Sequence, residues 1–146
     1  ADGYPLIAFR NAGYNSIDYA YKDASGWHVE SIETIGGFYD HSQRVCLDLA
    51  SDGTPHVSFG TPALKHAVRT SGVWTVEQVD KAGRYSSLTI DAAGYPHISY
   101  YNEIETQTLK YAYMDSEGWH LSALDGPRQG YDTRPSAYRL LWRWLG

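Results

Sequence analysis

The sequence predicts an all-β protein built from repeated antiparallel units of four strands, and three observations support that class. Tyr, Trp and Phe together make up 14% of the 146 residues, and aromatic residues favour β-strands. Short stretches of alternating apolar and polar residues recur between turns rich in Gly, Asp and Pro. Three tryptophans are separated by 47 and then 45 residues, and three alanines show the same two spacings. The tryptophans are Trp27, Trp74 and Trp119, and the alanines are Ala20, Ala67 and Ala112. Constant spacing of this kind indicates homologous repeats.

The most complete unit spans residues 87–124. Its predicted strands are 88–90, 97–101, 108–114 and 119–124. Gly94 lies in the first turn, where it can adopt the positive φ that a tight turn often needs, and Pro96 fixes φ at the start of the second strand. Four strands in roughly forty residues match the size of one blade of a β-propeller.

Two further copies precede this unit. Residues 45–79 contain all four strands, whereas residues 4–34 contain only the second, third and fourth. We therefore predict a single propeller domain over residues 1–146, with blade one at 4–34, blade two at 45–79 and blade three at 87–124. The longer connection at 35–44 is predicted to project as a loop.

Residues 136–141 resemble a first strand that has no turn after it. This spare strand and the missing strand of blade one are complementary. Because three blades are too few to close a ring, we expect two copies to form a six-bladed homodimer in which each tail completes blade one of the other copy. The alternatives are an open three-blade sandwich and a fragment of a longer chain.

The composition disfavours several classes of partner. A net charge of -5 and a pI near 5.6 argue against nucleic acid and anionic membranes, which both require a basic surface. Cys46 is the only cysteine, so no intrachain disulfide can form. The compartment is left undecided, with an extracellular or periplasmic location slightly favoured. No apolar run is long enough for a membrane span.

We expect neither a metal nor a cofactor. His56 and His97 share one repeat position, but neither has a partner at ligand spacing, and Leu6 occupies that position in the first copy. No nucleophile elbow, phosphate-binding loop or zinc-protease motif occurs. Carboxylates that could serve a glycosidase, such as Glu30 and Glu33, are predicted to lie on solvated outer strands, so we expect no catalytic residues.

The turns at 23–27, 70–74 and 115–119 resemble the Asp-box repeats of sialidase-like propellers. That motif places an SxDxGxxW turn between the third and fourth strands, and the third turn here reads Asp115-Ser116-Glu117-Gly118-Trp119. The initial Ser of the motif is absent. The resemblance implies a propeller fold and makes a sialidase-like glycoside hydrolase one alternative function.

Six-bladed fucose-binding lectins provide a second resemblance, through the second strands PLIAF, PHVSF and PHISY. In that family an Arg of the second strand and a Glu of the third strand hold the sugar. The positions that match are Ala8, Ser58 and Ser99 for the Arg, and Tyr19, His66 and Tyr111 for the Glu. Neither charged residue occurs there, so the resemblance implies lectin-like binding without identifying fucose as the ligand.

The function we predict is non-catalytic carbohydrate binding at shallow sites between blades, where aromatic side chains stack on sugar rings. The candidate ligand-binding residues are Trp27, Trp74, Trp119, Tyr19, His66, Tyr111, Tyr39 and Tyr85. The three tryptophans have a competing interpretation as packing residues between blades. Besides the hydrolase, a protein-interaction or assembly scaffold is the remaining alternative.

Overall fold

The computed structural model describes residues 3–36, 44–103 and 107–126, and in these residues the protein forms eleven β-strands. The strands make three separate antiparallel sheets, which confirms the predicted all-β class. None of the described segments forms a helix that is long and apolar enough to cross a membrane. The predicted loop at 35–44 lies mostly outside the described residues, and the strand predicted at 136–141 lies outside them entirely.

Sheet one has three strands in the order β1 (Leu6–Asn11), β2 (Ser16–Asp23) and β3 (Gly26–Thr34). The turn between β2 and β3 is tight because Gly26 adopts a φ of 130° and the Asp23 carboxylate accepts a hydrogen bond from the Ser25 backbone N–H at 2.8 Å. In the described part of the chain, no strand pairs with the outer edge of β1.

Sheets two and three each have four strands, and strands consecutive in sequence are neighbours in the sheet. Sheet two contains β4 (Val45–Leu49), β5 (Pro55–Gly60), β6 (Leu64–Thr70) and β7 (Val73–Asp80). Sheet three contains β8 (Arg84–Ile90), β9 (Pro96–Asn102), β10 (Thr108–Asp115) and β11 (Gly118–Ala123). The order is that of a simple meander, as the turn pattern of the sequence predicts.

The strand registers show that the sequence repeat is also a structural repeat. In each sheet an alanine of the third repeat strand is flanked by one apolar side chain on either neighbouring strand. These apolar rows are Ile7–Ala20–Val29, Val57–Ala67–Val76 and Ile98–Ala112–Leu121. The residues spaced by 47 and 45 positions therefore occupy equivalent places in the three sheets.

The sheets pack against one another in chain order, which creates two seams with separate apolar cores. The first seam joins sheets one and two, and its buried residues are Ile17, Tyr19, Ile32, Ile35, Val57, Phe59 and Ala67. The second seam joins sheets two and three, and its buried residues are Leu64, Val79, Leu88, Ile98, Tyr100 and Ala112. Burying one such large side chain contributes roughly 1.5–3 kcal/mol, so the two seams hold the three sheets together.

Each seam is also crossed by an ion pair at one repeated position. Lys65 of sheet two pairs with Glu33 of sheet one, and Lys110 of sheet three pairs with Asp80 of sheet two. Burial alone would raise the pKa of Asp80, but the Lys110 ammonium and the Tyr100 hydroxyl, which donates at 2.6 Å, hold it below its usual value. Glu33 lies on an outer strand, as predicted, but its side chain is only 26% exposed because it pairs with Lys65 of the neighbouring sheet.

The outward face of sheet one carries the same apolar row without a covering sheet. Ile7 and Val29 are 46% and 62% exposed, whereas Val57 and Ile98, which occupy the position of Ile7 in the other sheets, are 0% exposed. Trp27 stands on this face beside Val29 and is 52% exposed. In the described residues, sheet one thus exposes Ile7, whose counterparts Val57 and Ile98 are buried in the seams, whereas Leu121, the counterpart of Val29 in sheet three, is itself 40% exposed.

Candidate functional site

A first polar cluster forms where the first seam reaches the surface, and it consists of Tyr19, Glu30, Arg69 and Trp74. Tyr19 and Glu30 lie directly opposite each other on β2 and β3. Arg69 and Trp74 lie opposite each other on β6 and β7. The cluster therefore combines one cross-strand pair from each of two adjacent sheets, and the packing of the seam brings the two pairs together.

The Glu30 carboxylate is the centre of this cluster. Arg69 donates to it through Nε at 2.9 Å and through Nη2 at 2.7 Å, which is the bidentate geometry of a strong ion pair. Trp74 donates its indole N–H to the same carboxylate at 3.2 Å. The Trp74 ring also meets the Tyr19 ring edge to face, with the centroids 5.1 Å apart. Two side chains therefore hold the carboxylate, and Tyr19 packs against one of them, Trp74.

In the first polar cluster, the negative charge of Glu30 is balanced by the positive charge of Arg69. The hydrogen bonds from Arg69 hold the pKa of Glu30 below its usual value, so this carboxylate is ionised at neutral pH. Burial raises the pKa of the Tyr19 phenol, which stays neutral. The Glu30 and Arg69 side chains are 28% and 24% exposed, so solvent or a ligand can reach both charges. The guanidinium also lies 5.4 Å from the centre of the Tyr21 ring.

A second polar cluster occupies the equivalent place at the second seam, and it consists of His66, Glu77, Met114 and Trp119. His66 and Glu77 lie opposite each other on β6 and β7, and Met114 and Trp119 lie opposite each other on β10 and β11. The His66 imidazole contacts the Glu77 carboxylate at 3.0 Å, and its ring meets the Trp119 ring edge to face at 5.4 Å. The hydrogen bond from His66 lowers the pKa of Glu77.

His66 belongs to a buried chain of hydrogen bonds. Its Nδ1 faces Glu77, and its Nε2 lies 3.0 Å from Nδ1 of His56. Because a carboxylate can only accept, His66 must donate from Nδ1, and neutral His66 then accepts from the His56 N–H. Burial, and to a smaller extent the nearby His66, lowers the pKa of His56 from 6.5 to about 4, against the opposing attraction of Asp52 and Asp48.

This lowered pKa predicts that the folded protein loses stability on acidification. Between pH 6.5 and about 4 the unfolded chain protonates His56 and the folded chain does not, so the free energy of unfolding falls as the pH falls. The expected loss is about 1.4 kcal/mol for each pH unit in this window. His56→Leu, which installs the side chain found at Leu6, should flatten the slope in urea unfolding measured from pH 7 to pH 4. An unchanged slope would contradict this assignment.

The remaining predicted site residues do not join either cluster. Trp27 lies on the outward face of sheet one. Tyr111 stacks on Tyr113 and hydrogen-bonds to His97 within sheet three. Tyr85 stands at a register shift in β8, the first strand of sheet three, with a φ of 53°, whereas both clusters are built from third and fourth repeat strands. Tyr39 lies outside the described residues.

Glu30 does lie on an outer strand and is 28% exposed, but its carboxylate is paired with Arg69 of the neighbouring sheet. At the positions that match the lectin motif the charged pair is indeed absent, but Glu30 and Arg69 form a charged pair from other positions in neighbouring sheets. One feature of the sequence does indicate the glutamate of each cluster. Glu30 and Glu77 both lie three residues after a repeated tryptophan, and they share its spacing of 47.

Neither cluster has the ligand set of a metal site. In the described residues, no group of three or more His, Cys, Asp or Glu side chains is arranged to hold a metal ion.

An open cavity of about 680 Å³ lies beside the turns of sheets one and two, and its lining includes Leu6, Lys22 and Leu49. It contains no residue of either polar cluster, and its chemistry is mainly apolar.

Comparison with known proteins gives similarity in structure only. No protein family profile and no curated protein sequence matches the chain. The fold is similar to that of a fucose lectin from Kordia zhangzhouensis solved in complex with methyl-fucoside, with a TM-score of 0.51 and 14% identity over 84% of this chain and 92% of that one. An endo-1,4-beta-xylanase from Bacteroides thetaiotaomicron has a TM-score of 0.42 and 16% identity over 88% of this chain and 56% of that one. The first similarity is consistent with the all-β fold of the three antiparallel sheets.

Proposed function

We propose that the protein is a non-catalytic carbohydrate-binding module and that its first polar cluster binds a neutral sugar. The observation that carries the proposal is the Glu30 carboxylate held by Arg69 and Trp74 at the surface of the first seam. An ionised carboxylate accepts hydrogen bonds from sugar hydroxyls, and a guanidinium donates to the sugar oxygens. The partly exposed rings of Trp74 and Tyr21 lie beside the two charges and suit the apolar face of a pyranose ring.

The same geometry argues against hydrolysis at this cluster. A glycosidase needs two carboxyl groups on either side of the scissile bond, one of which is a proton donor with a raised pKa. In the first polar cluster Glu30 is the only carboxylate, and its pKa is lowered by Arg69. A carboxylate in that state is suited to binding a ligand. The similarity to the fold of a fucose lectin supports the same class of function, although a shared fold does not by itself define the ligand.

We also propose that the three sheets are blades of a propeller and that a second copy completes the ring. The outward face of sheet one and the unpaired edge of β1 support this proposal, because both resemble surfaces that the seams and sheets elsewhere cover. In this arrangement residues 136–141 of each copy pair with β1 of the other. Ring closure predicts a particle of twice the chain mass in solution.

The sugar-binding proposal is tested by titrating the protein with neutral methyl glycosides, chosen from a glycan array, and following binding by calorimetry. We expect Glu30→Gln to weaken the best neutral ligand by about tenfold or more, since the amide replaces a charged acceptor worth about 1.5–3 kcal/mol. Glu33→Gln is the matched control, because Glu33 also forms an ion pair across the first seam but lies outside the cluster.

Circular dichroism of both variants establishes that they are folded. Two results would refute the proposal: no neutral glycan binds the wild-type protein, or Glu30→Gln binds the best ligand as tightly as the wild type does.

A further inference from the structure

The two polar clusters differ at two equivalent positions, and at one of them His66 replaces Tyr19. Arg69 of the first cluster is replaced by Met114 in the second, since both residues lie opposite the repeated tryptophan on the next strand. Both clusters keep a glutamate at the same position: Glu30 lies opposite Tyr19, and Glu77 lies opposite His66. The second polar cluster therefore keeps the carboxylate and lacks the guanidinium that neutralises it.

The Glu77 carboxylate is both accessible and charged. Its side chain is 40% exposed, and its ion-pair partner among the described residues is His66, whose side chain is only 3% exposed. His66 fixes one carboxylate oxygen and lowers the pKa of Glu77, so the group is ionised at neutral pH. No lysine or arginine pairs with Glu77 among the described residues, whereas Arg69 neutralises Glu30 in the first cluster.

The side chains around Glu77 suit a cation. Trp119 contributes an indole ring, whose face attracts positive charge, and Met114 contributes a polarisable thioether. The Trp119 indole N–H lies close enough to Glu77 to help lower its pKa, although it makes no direct hydrogen bond of ordinary geometry among the described residues. One carboxylate with one imidazole is too small a donor set for a metal ion.

We infer that the second polar cluster binds an ammonium-bearing sugar, such as a 2-amino sugar, through a charge-assisted contact between the ammonium group and Glu77. This inference rests on the proposed function in one respect, the use of the seam surface to hold a sugar ring. A neutral sugar finds no guanidinium donor at this cluster, because Met114 cannot donate a hydrogen bond. A cationic sugar instead supplies the positive charge that Arg69 supplies at the first cluster.

The test compares methyl 2-amino-2-deoxyglucoside with its N-acetylated derivative, in calorimetric titrations at a pH where the amine is protonated. The two probes have the same ring, and only the first carries a positive charge. We expect the amino sugar to bind the wild type with an affinity that falls as the salt concentration rises. Glu77→Gln should reduce this affinity about tenfold or more, while Glu33→Gln, which changes a carboxylate outside both clusters, should leave it unchanged.

A reciprocal exchange at the two equivalent positions provides a second readout. Met114→Arg should reduce binding of the amino sugar, because the new guanidinium pairs with Glu77 and repels the ammonium group. Arg69→Met should give the first cluster the charge of the second, so that a second molecule of amino sugar binds per chain. Thermal melts followed by circular dichroism show whether each variant is folded.

The inference is overturned if the amino sugar binds the wild type no better than the acetylated sugar, or if Glu77→Gln has no effect on it. Failure of the sugar-binding function at the first cluster is recognised separately, because it removes the effect of Glu30→Gln on neutral glycans and leaves the comparison of the charged probes intact.

Discussion

Replacing Gly60 by alanine is expected to destabilise the protein strongly, because the added methyl group would overlap the backbone of Gly83. Gly60 ends β5, and a Cβ atom placed on it would lie 1.8 Å from the carbonyl oxygen of Gly83 and 2.9 Å from its carbonyl carbon. Both contacts are with backbone, so no side chain can rotate away. Gly83 in turn lies against Leu64 and Tyr100 of the second seam, which restricts its own movement.

We expect Gly60→Ala to lower the free energy of unfolding by at least about 3 kcal/mol, the upper end of what overpacking of a core usually costs. A loss of this size is a large part of the total stability of an ordinary domain, about 5–15 kcal/mol. Gly36→Ala is the matched control, because no atom lies within 4 Å of the added Cβ and Gly36 is exposed. Urea unfolding measures both variants. Equal stability of the two would show that the approach of Gly60 to Gly83 is not required by the fold.

The second large effect is expected on the proposed dimer. Val29→Glu places a carboxylate at the β3 end of the exposed apolar row of sheet one, next to Trp27. If a second copy covers this face, the new charge is buried without a partner, which costs about 3–5 kcal/mol. The dissociation constant should then rise about 100-fold or more, and light scattering should report a mass close to that of one chain.

Val73→Glu serves as the control, because Val73 is 66% exposed and lies at the start of β7, outside the apolar rows. It should leave the particle at the mass of two chains. A wild-type protein that is monomeric at micromolar concentration would exclude the dimer, as would a Val29→Glu variant that keeps the dimeric mass. The measurement requires moderate salt, since screening limits any repulsion between the copies, which are both acidic.

Most of the fold could be predicted from the sequence because the local signals agree with one another. The alternation of residues along each strand, Gly94 in its turn and the repeated alanines all indicate the same meander, and the structure forms three antiparallel sheets from it. Pro96, which fixes φ before the second strand of its unit, is the first residue of β9.

The site could be predicted only in part, because its charges come from different sheets. Tyr19 and Trp74 were candidates, and they do meet at the first seam. Glu30 and Arg69 are 39 positions apart, and nothing in the pattern of either strand indicates which faces will pack together. The same limitation explains Trp27. Trp27 and Trp74 occupy the same position in their repeats, but the environment of each ring depends on the neighbouring sheet. Trp74 therefore packs in the first seam, whereas Trp27 is exposed.

The lysine and acid that cross each seam have a further consequence for assembly. Lys65 and Lys110 hold the position that Asp18 occupies in sheet one. If sheet one packed in place of sheet three, Asp18 would face Asp80 of sheet two and would repel it. Repeat proteins are prone to misassembly because their units resemble one another. Here a single reversal of charge distinguishes the first unit from the other two, and it favours folding with the sheets in their sequence order.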